Sequence, residues 1–230
     1  GLISGAPPEK ADWEWGQRSS LAARLNHKGW IRDLRGVEEI RSIEEFRGRW
    51  VLKDPFGAAG RGQLRGDGEP TAEQRRAIER RLERFGSLIR EPWIDRAADF
   101  GCAAGIEGGE VRIVGIHRLQ VDGQGRFRGI RIDEHGLRGE EESELRRMAM
   151  RVGSLLQAAG YEGAFGIDAC RSVSGEFHSL LEANVRFTFG HVAWELARVL
   201  GATALEFGDE IPAGGTALLH PGNLAAWIRK

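Results

Sequence analysis

Two neighbouring segments, GAFGIDACR (163–171) and EFHSLLEANVR (176–186), bring acidic and amide side chains to a spacing that suits a cation. Strand side chains alternate faces, so Glu182, Asn184 and Arg186 share one face while Leu181, Ala183 and Val185 take the other. Asp168 points away from Ile167 and Ala169 in the same way. A three-residue hairpin loop at 174–176 would set Asp168 directly across from Glu182. Like charges in that position repel, and the arrangement makes sense if a cation sits between them. Asp, Glu and Asn supply the hard oxygens that magnesium takes, with further positions left to water and phosphate. Arg186 would then meet phosphate or a substrate carboxylate. A solvent-facing strand edge with ordinary polar alternation has the same pattern, so the pattern alone leaves both readings open.

RWVLKDPFGAAGRG (49–62) puts Lys53 at the end of an apolar strand and Gly57, Gly60 and Gly62 in the loop that follows. Glycine loops let backbone N–H groups approach phosphate oxygens, and a lysine at the strand end adds a point charge. The glycines follow neither GxxxxGK[ST] nor GxGxxG spacing. A glycine-rich hairpin after a surface lysine is the commoner structure. SLIREPWID (87–95) offers a carbonyl at Pro92, an N–H at Ile94 and apolar surface at Trp93, the groups that an adenine ring needs. Taken alone, that segment reads as a strand ended by proline with a core tryptophan.

The elements that must position these groups follow from glycine and proline punctuation. An irregular arm covers residues 1 to about 18, and its opening GLISGAPPEK, without helix or strand periodicity, suggests material upstream. A helix over SSLAARLNHKGWIRDL is expected to end near Gly36, followed by a short strand VEEIRS. SIEEFRG reads as a short helix capped by Ser42, and AEQRRAIERRLERFG as an amphipathic one. After a polar link, DRAAD, come strands DFGCAAGIE, VRIVGIHRLQV and RFRGIRI, the last two joined by a hairpin at Asp122-Gly123-Gln124-Gly125. EEESELRRMAMRVGSLLQAAG is the longest helix, with a core stripe of Leu145, Met148, Ala149, Val152, Leu155 and Leu156; HVAWELARVLG is the last. Strands outnumber helices too strongly for strict alternation, so the class is α+β.

With Lys+Arg 33 against Asp+Glu 34, no global basic field holds nucleic acid. No apolar run reaches the roughly 20 residues that span a bilayer, so no membrane is expected as partner. Cys102 and Cys170 are far apart with no metal-ligand spacing, which fits packing in a reducing, cytoplasmic setting. His117, His178 and His191 are scattered, as surface or satisfied core histidines usually are.

In order, a strand lysine with a glycine loop, an acidic hinge, then Asp on one strand and Glu-x-Asn-x-Arg on the next resemble the ATP-grasp superfamily. The likeness runs over about residues 24–200. It implies an ATP-grasp fold of two α+β lobes clasping ATP, with mostly antiparallel sheets: an arm at 1–20, a small lobe with the glycine-rich loop at 21–90, and a large lobe with hinge and metal site at 91–230. By the same resemblance Lys53 and Arg186 serve catalysis, and Lys53, Lys28, Gly57, Gly60 and Gly62 bind phosphates. Glu91, Pro92, Trp93 and Ile94 hold adenine, and Asp99 meets the ribose. Asp168, Glu182 and Asn184 carry magnesium or manganese. The implied activity is ADP-forming ligation: a small-molecule or peptide carboxylate is activated as an acyl phosphate for attack by an amine or thiol, and the resemblance leaves room for a homodimer. A regulatory ATP-binding module and an ATP-grasp kinase acting on an alcohol are the competing expectations. The sequence departs from the family in having the shorter Asp99 where glutamate is usual, and in lacking a recognisable N-terminal substrate domain.

Overall fold

Short apolar runs bounded by glycine, proline and acidic residues pair into two sheets in the computed structural model of the chain, which describes residues 21–57, 63–122, 127–219 and 225–229. The smaller sheet has β1 (Glu38–Ile40), β2 (Arg49–Lys53), β3 (Gln63–Asp67) and β4 (Leu88–Pro92) in the order β1-β4-β2-β3. The larger has β5 (Arg96–Glu107), β6 (Glu110–Val121), β7 (Phe127–Arg131), β8 (Gly163–Ser172), β9 (Phe177–Asn184), β10 (Ala204–Gly208), β11 (Thr216–Leu219) and β12 (Ala225–Arg229). Their order is β11-β12-β10-β7-β6-β5-β8-β9. Every strand pair among the described residues is antiparallel.

The first expected helix is broken in three. α1 (Leu21–Asn26) is followed by a 3-10 turn at Lys28–Ile31, then by α2 (Arg32–Arg35), which stops at left-handed Gly36. The break has a local cause. His27 is extended, and its ring accepts a hydrogen bond from the Gly29 N–H at 3.1 Å, so the chain turns where an unbroken helix would run on. Leu25 and Ile31 are buried in the core of the larger sheet.

α3 (Ala72–Phe85) lays Ile78, Leu82 and Phe85 on the smaller sheet, against Trp50, Leu52 and Leu88. The short helix expected at SIEEFRG is absent. Glu69 accepts from the Phe46 N–H and Arg90 donates to the Glu45 carbonyl, so side chains from elsewhere take the backbone groups a helix would need. Phe46 is buried against Trp50.

α4 (Gly139–Ala158) covers one face of the larger sheet through Leu145, Ala149, Val152 and Leu156, each fully buried. Leu155, expected in that stripe, is 42% exposed, because the stripe follows positions 145, 149, 152 and 156 and leaves 155 on the flank; Met148 packs at its margin. α5 (Phe189–Leu200) crosses β5, β6, β7 and β10 on the opposite face. β5 begins at Arg96, inside the expected polar link, because Arg96 already pairs with Ser172. The hairpin between β6 and β7 forms as expected, although 123–126 lie outside the described residues. β10, β11 and β12 were not anticipated from the sequence. Among the described residues no helix is long and apolar enough to cross a membrane.

Asn26 ties the broken helix to the end of β9: its amide donates to the Val185 carbonyl and accepts from the Val185 N–H, both at 2.9 Å. Lys28, two residues on, donates its N–H to the carbonyl of Pro55, just beyond β2 of the smaller sheet. This strap joins the two sheets. Asn26→Ala should therefore cost about 2 kcal/mol, read as a melting temperature lower by roughly 4–8 °C; an unchanged melt would mean that the strap bears no load.

Candidate active site

Directly opposed residues of an antiparallel ladder point to one face. On the face of the larger sheet turned away from α4, this rule builds three rows. Leu119, Asp99 and Cys170 form the first; His117, Gly101, Asp168 and Glu182 the second; Gly115, Ala103, Gly166 and Asn184 the third. The sequence expectation that Asp168 faces Glu182 holds, but by another route. The loop is 173–175, closed by Ser172 N–H to the Glu176 carbonyl. β9 then takes four steps from His178 to Glu182 where β8 takes two from Cys170 to Asp168. The two-residue bulge restores the expected register and keeps the alternation of faces.

The two carboxylates meet at a charged centre. Asn184 donates from Nδ2 to Asp168 Oδ2 at 3.1 Å, and its Oδ1 accepts from Arg186 at 3.0 Å. Lys28 Nζ, itself nearly buried, makes an ion pair with Glu182. Burial, then the facing Glu182 charge, raises Asp168 to about 7. Among the described residues no group of three or more His, Cys, Asp or Glu side chains is placed to hold a metal. An ion here would take two carboxylates and, once the amide turns its oxygen from Arg186 towards Asp168 and Lys28 leaves Glu182, the Asn184 oxygen, with several positions left open. That donor set, hard and incomplete, fits magnesium, and the repulsion between the carboxylates gives it a reason to bind.

Lys53 stands at the end of β2, buried, with Nζ 2.5 Å from Glu91 Oε2 on β4. Arg35 at the end of α2 reaches the same oxygen at 2.8 Å. Burial lowers the Lys53 pKa, with Glu91 opposing; burial alone would raise Glu91, but Lys53 and then Arg35 outweigh it and hold the carboxyl below its usual range. Lys53 is close enough to Glu182 for the two charges to act on each other.

Other expected residues are committed to local partners. The Gly57 N–H donates to the Asp54 carbonyl at 3.1 Å, and Gly60 and Gly62 lie outside the described residues. The Trp93 N–H donates to the Arg49 carbonyl, its indole N–H to Asp95, and its ring lies 4.0 Å beneath the Arg65 guanidinium. Pro92 is exposed and Ile94 half-buried between β4 and β5. Asp99 is buried and accepts from Arg96 at 2.8 Å. Cys170 shares its row, but burial pushes that thiol up to about 11, and the Cys102 thiol on the other face to about 12, so both are packing groups.

Three residues escaped the sequence reading. Arg35 looks like any basic residue closing a helix before glycine. Asn26 had no signal. His117, set aside among scattered histidines, lies in the same row as Asp168 with only Gly101 between them. A Cβ on Gly101 would stand 2.4 Å from His117 Nε2, and one on Gly190 at the start of α5 would stand 2.4 Å from Cε1, so both glycines are what lets the ring lie there. Burial, then His191, lowers the His117 pKa to about 4, so the ring is neutral; its Nδ1 is buried without a partner among the described residues. A glycine flanked by alternating apolar residues, opposite a histidine, is the one signal that register analysis of the sequence could have used.

No protein-family model matches the sequence, and no curated protein matches it significantly. Solved structures do match. A protein from Archaeoglobus fulgidus assigned to the ATP-grasp superfamily aligns over 92% of this chain and 66% of its own, with 14% identity and a TM-score of 0.61. The chain has an ATP-grasp fold. The biotin carboxylase domain of Hydrogenobacter thermophilus 2-oxoglutarate carboxylase, solved with MgADP, ADP and bicarbonate, aligns over 90% of this chain and 62% of its own at 14% identity, with a TM-score of 0.62. L-amino acid ligase from Bacillus licheniformis aligns over 86% of this chain and 56% of its own at 14% identity, with a TM-score of 0.55. The chain thus spans less than two thirds of the length of these ATP-grasp structures.

A raised carboxyl pKa in the folded state gives stability that is present at low pH and lost as pH climbs from the unfolded value, about 4, through the folded one. Asp168→Asn cannot ionise and keeps an acceptor for Asn184. In the absence of divalent cations it should melt above the wild type at about pH 8, with the gap closing towards about pH 4. A gap that does not change with pH would show that Asp168 is not strained by its neighbours.

Proposed function

We propose that this chain is the ATP-binding part of an ADP-forming ligase that activates a carboxylate for attack by an amine or thiol. The observation that carries the reading is the pair of carboxylates facing each other across β8 and β9, flanked by Asn184 and Arg186, on an ATP-grasp fold. The nucleotide complex of the Hydrogenobacter neighbour adds support, as does the ligase activity named for the Bacillus one.

Asp168, Glu182 and Asn184 would hold magnesium or manganese, which neutralises phosphate charge when bound. Lys53 moves its charge from Glu91 to the phosphates, and Lys28 can do the same from Glu182. Beyond Gly57, whose own N–H is taken by the Asp54 carbonyl, the glycines at 60 and 62 would let backbone N–H groups approach the phosphates. Adenine would lie against the hinge, with the Pro92 carbonyl and Ile94 N–H offered to its edge beside Trp93 and the main chain of Glu91, and Asp99, which now accepts from Arg96, would accept from the ribose. Arg186 draws in the acid. One carboxylate oxygen attacks the γ-phosphorus, the bond to the bridging oxygen breaks, and ADP leaves. The amine or thiol then attacks the acyl carbon, expels phosphate and loses its proton. The protein supplies position and charge, with no covalent nucleophile of its own.

The test is trapping of the acyl phosphate. With Mg-ATP, hydroxylamine and a panel of carboxylic acids, the intact protein should yield a hydroxamate and ADP with the cognate acid, and Lys53→Met should yield none. AMP and pyrophosphate would overturn the reading; a stable phosphorylated alcohol would make the protein a kinase, and nucleotide binding without turnover a regulatory module.

A further inference from the structure

Glu91 is shared by two buried cations in an unusual way. Lys53 Nζ at 2.5 Å and Arg35 Nη2 at 2.8 Å both approach Oε2, while Oε1 is buried with no hydrogen-bond partner among the described residues. All three side chains are at most 7% exposed. The cluster therefore holds two positive charges and one negative, and Arg35 Nε is likewise without a partner among the described residues. One carboxylate oxygen with two donors is more than a lysine needs for its own neutralisation. It is the arrangement required if the lysine must leave.

A buried carboxylate stripped of its only cation carries a large penalty, because its lost hydration is no longer offset by a nearby charge. If Lys53 alone held Glu91, moving the ammonium to a phosphate would leave Glu91 ionised and unpaired, and that cost would be charged against nucleotide binding. We propose that Arg35 is a positioning residue that keeps Glu91 compensated, so that Lys53 is free to pass from Glu91 to the nucleotide phosphates. The proposal rests on the reading of Lys53 as a phosphate ligand. Arg35 suits the role. A guanidinium stays charged and offers several donors in a fixed fork, so it can hold Oε2 and also take up the vacant Oε1 once the ammonium has gone. Its place at the end of α2, stopped by Gly36, fixes its backbone independently of β2 and β4. The lysine can therefore move without its replacement moving too.

The test is a cycle of variants in the full chain, with Mg-ADP affinity measured by calorimetry on samples whose fold is checked by their near-ultraviolet circular dichroism. Arg35→Met leaves Lys53 and Glu91 as a neutral one-to-one pair and should weaken Mg-ADP by about tenfold or more. Arg35→Met combined with Glu91→Gln removes the carboxylate that would be stranded but keeps the main chain, the only part of residue 91 that the adenine hinge uses, and should bring affinity back to within about threefold of the wild type. Arg35→Lys, which keeps the charge, should bind nearly as the wild type does and serves if the methionine variant does not fold. A methionine variant with wild-type affinity would overturn the proposal. So would a double variant as weak as the single one, since that result would make Arg35 a direct ligand of the phosphates. Weak binding by Arg35→Lys would also count against it. Failure of the wild type itself to bind Mg-ADP would instead sink the underlying reading of Lys53.

Discussion

Like charges held half-buried are what the rest of the structure is arranged around. Asp168 and Glu182 are brought face to face by the register of β8 and β9, and the Glu182 charge helps raise the Asp168 pKa. Low-dielectric repulsion of this kind has to be met by a cation, by protonation or by distortion. The fold uses the first two. Lys28 is carried to Glu182 on a strap that Asn26 fastens to Val185, and Asp168 has its pKa raised towards neutrality. Lys53, on the smaller sheet and close enough to interact with Glu182, and Arg35, at the end of α2, add an excess of positive charge around Glu91. On the proposed function, a polyphosphate with its metal ion would bring charges of both signs to this region.

The larger sheet makes this centre possible by dividing its labour between faces. α4 and its apolar stripe bury one face, so Phe100, Cys102, Phe165 and Ile167 can be core residues while Gly101, Asp168 and Asn184 alternate with them on the other. Glycines at 101 and 190 leave space for the His117 ring over the strand beside Asp168. A histidine held neutral there adds no further positive charge to the row.

Much of this was legible in the sequence, for reasons specific to each residue. Asp168, Glu182 and Asn184 could be placed on one face because strand alternation has a fixed period, and the two-residue bulge in β9 preserved parity even though the loop sat one residue earlier than expected. The amphipathic stripes of α3 and α4 were visible for the same reason, apart from the flank position of Leu155. Arg35 was invisible because its importance lies in a contact between residues 56 positions apart in sequence. The false helix at SIEEFRG arose because local propensity knows nothing of Glu69 and Arg90, which claim its backbone. β10 to β12 are short runs that gain their stability from pairing with β7 and with one another, beyond what a local pattern reveals.

Where a divalent ion binds decides whether Asp168 and Glu182 form a metal site. Crystals of the protein grown with manganese and ADP, measured at the manganese absorption edge, would locate the ion by its anomalous signal. The expected result is a peak between the carboxylates of Asp168 and Glu182, with Lys28 released from Glu182 and the ADP phosphates beside it. Bound ADP with no peak at that pair, or with manganese held by other residues, would contradict the site derived from the register of β8 and β9.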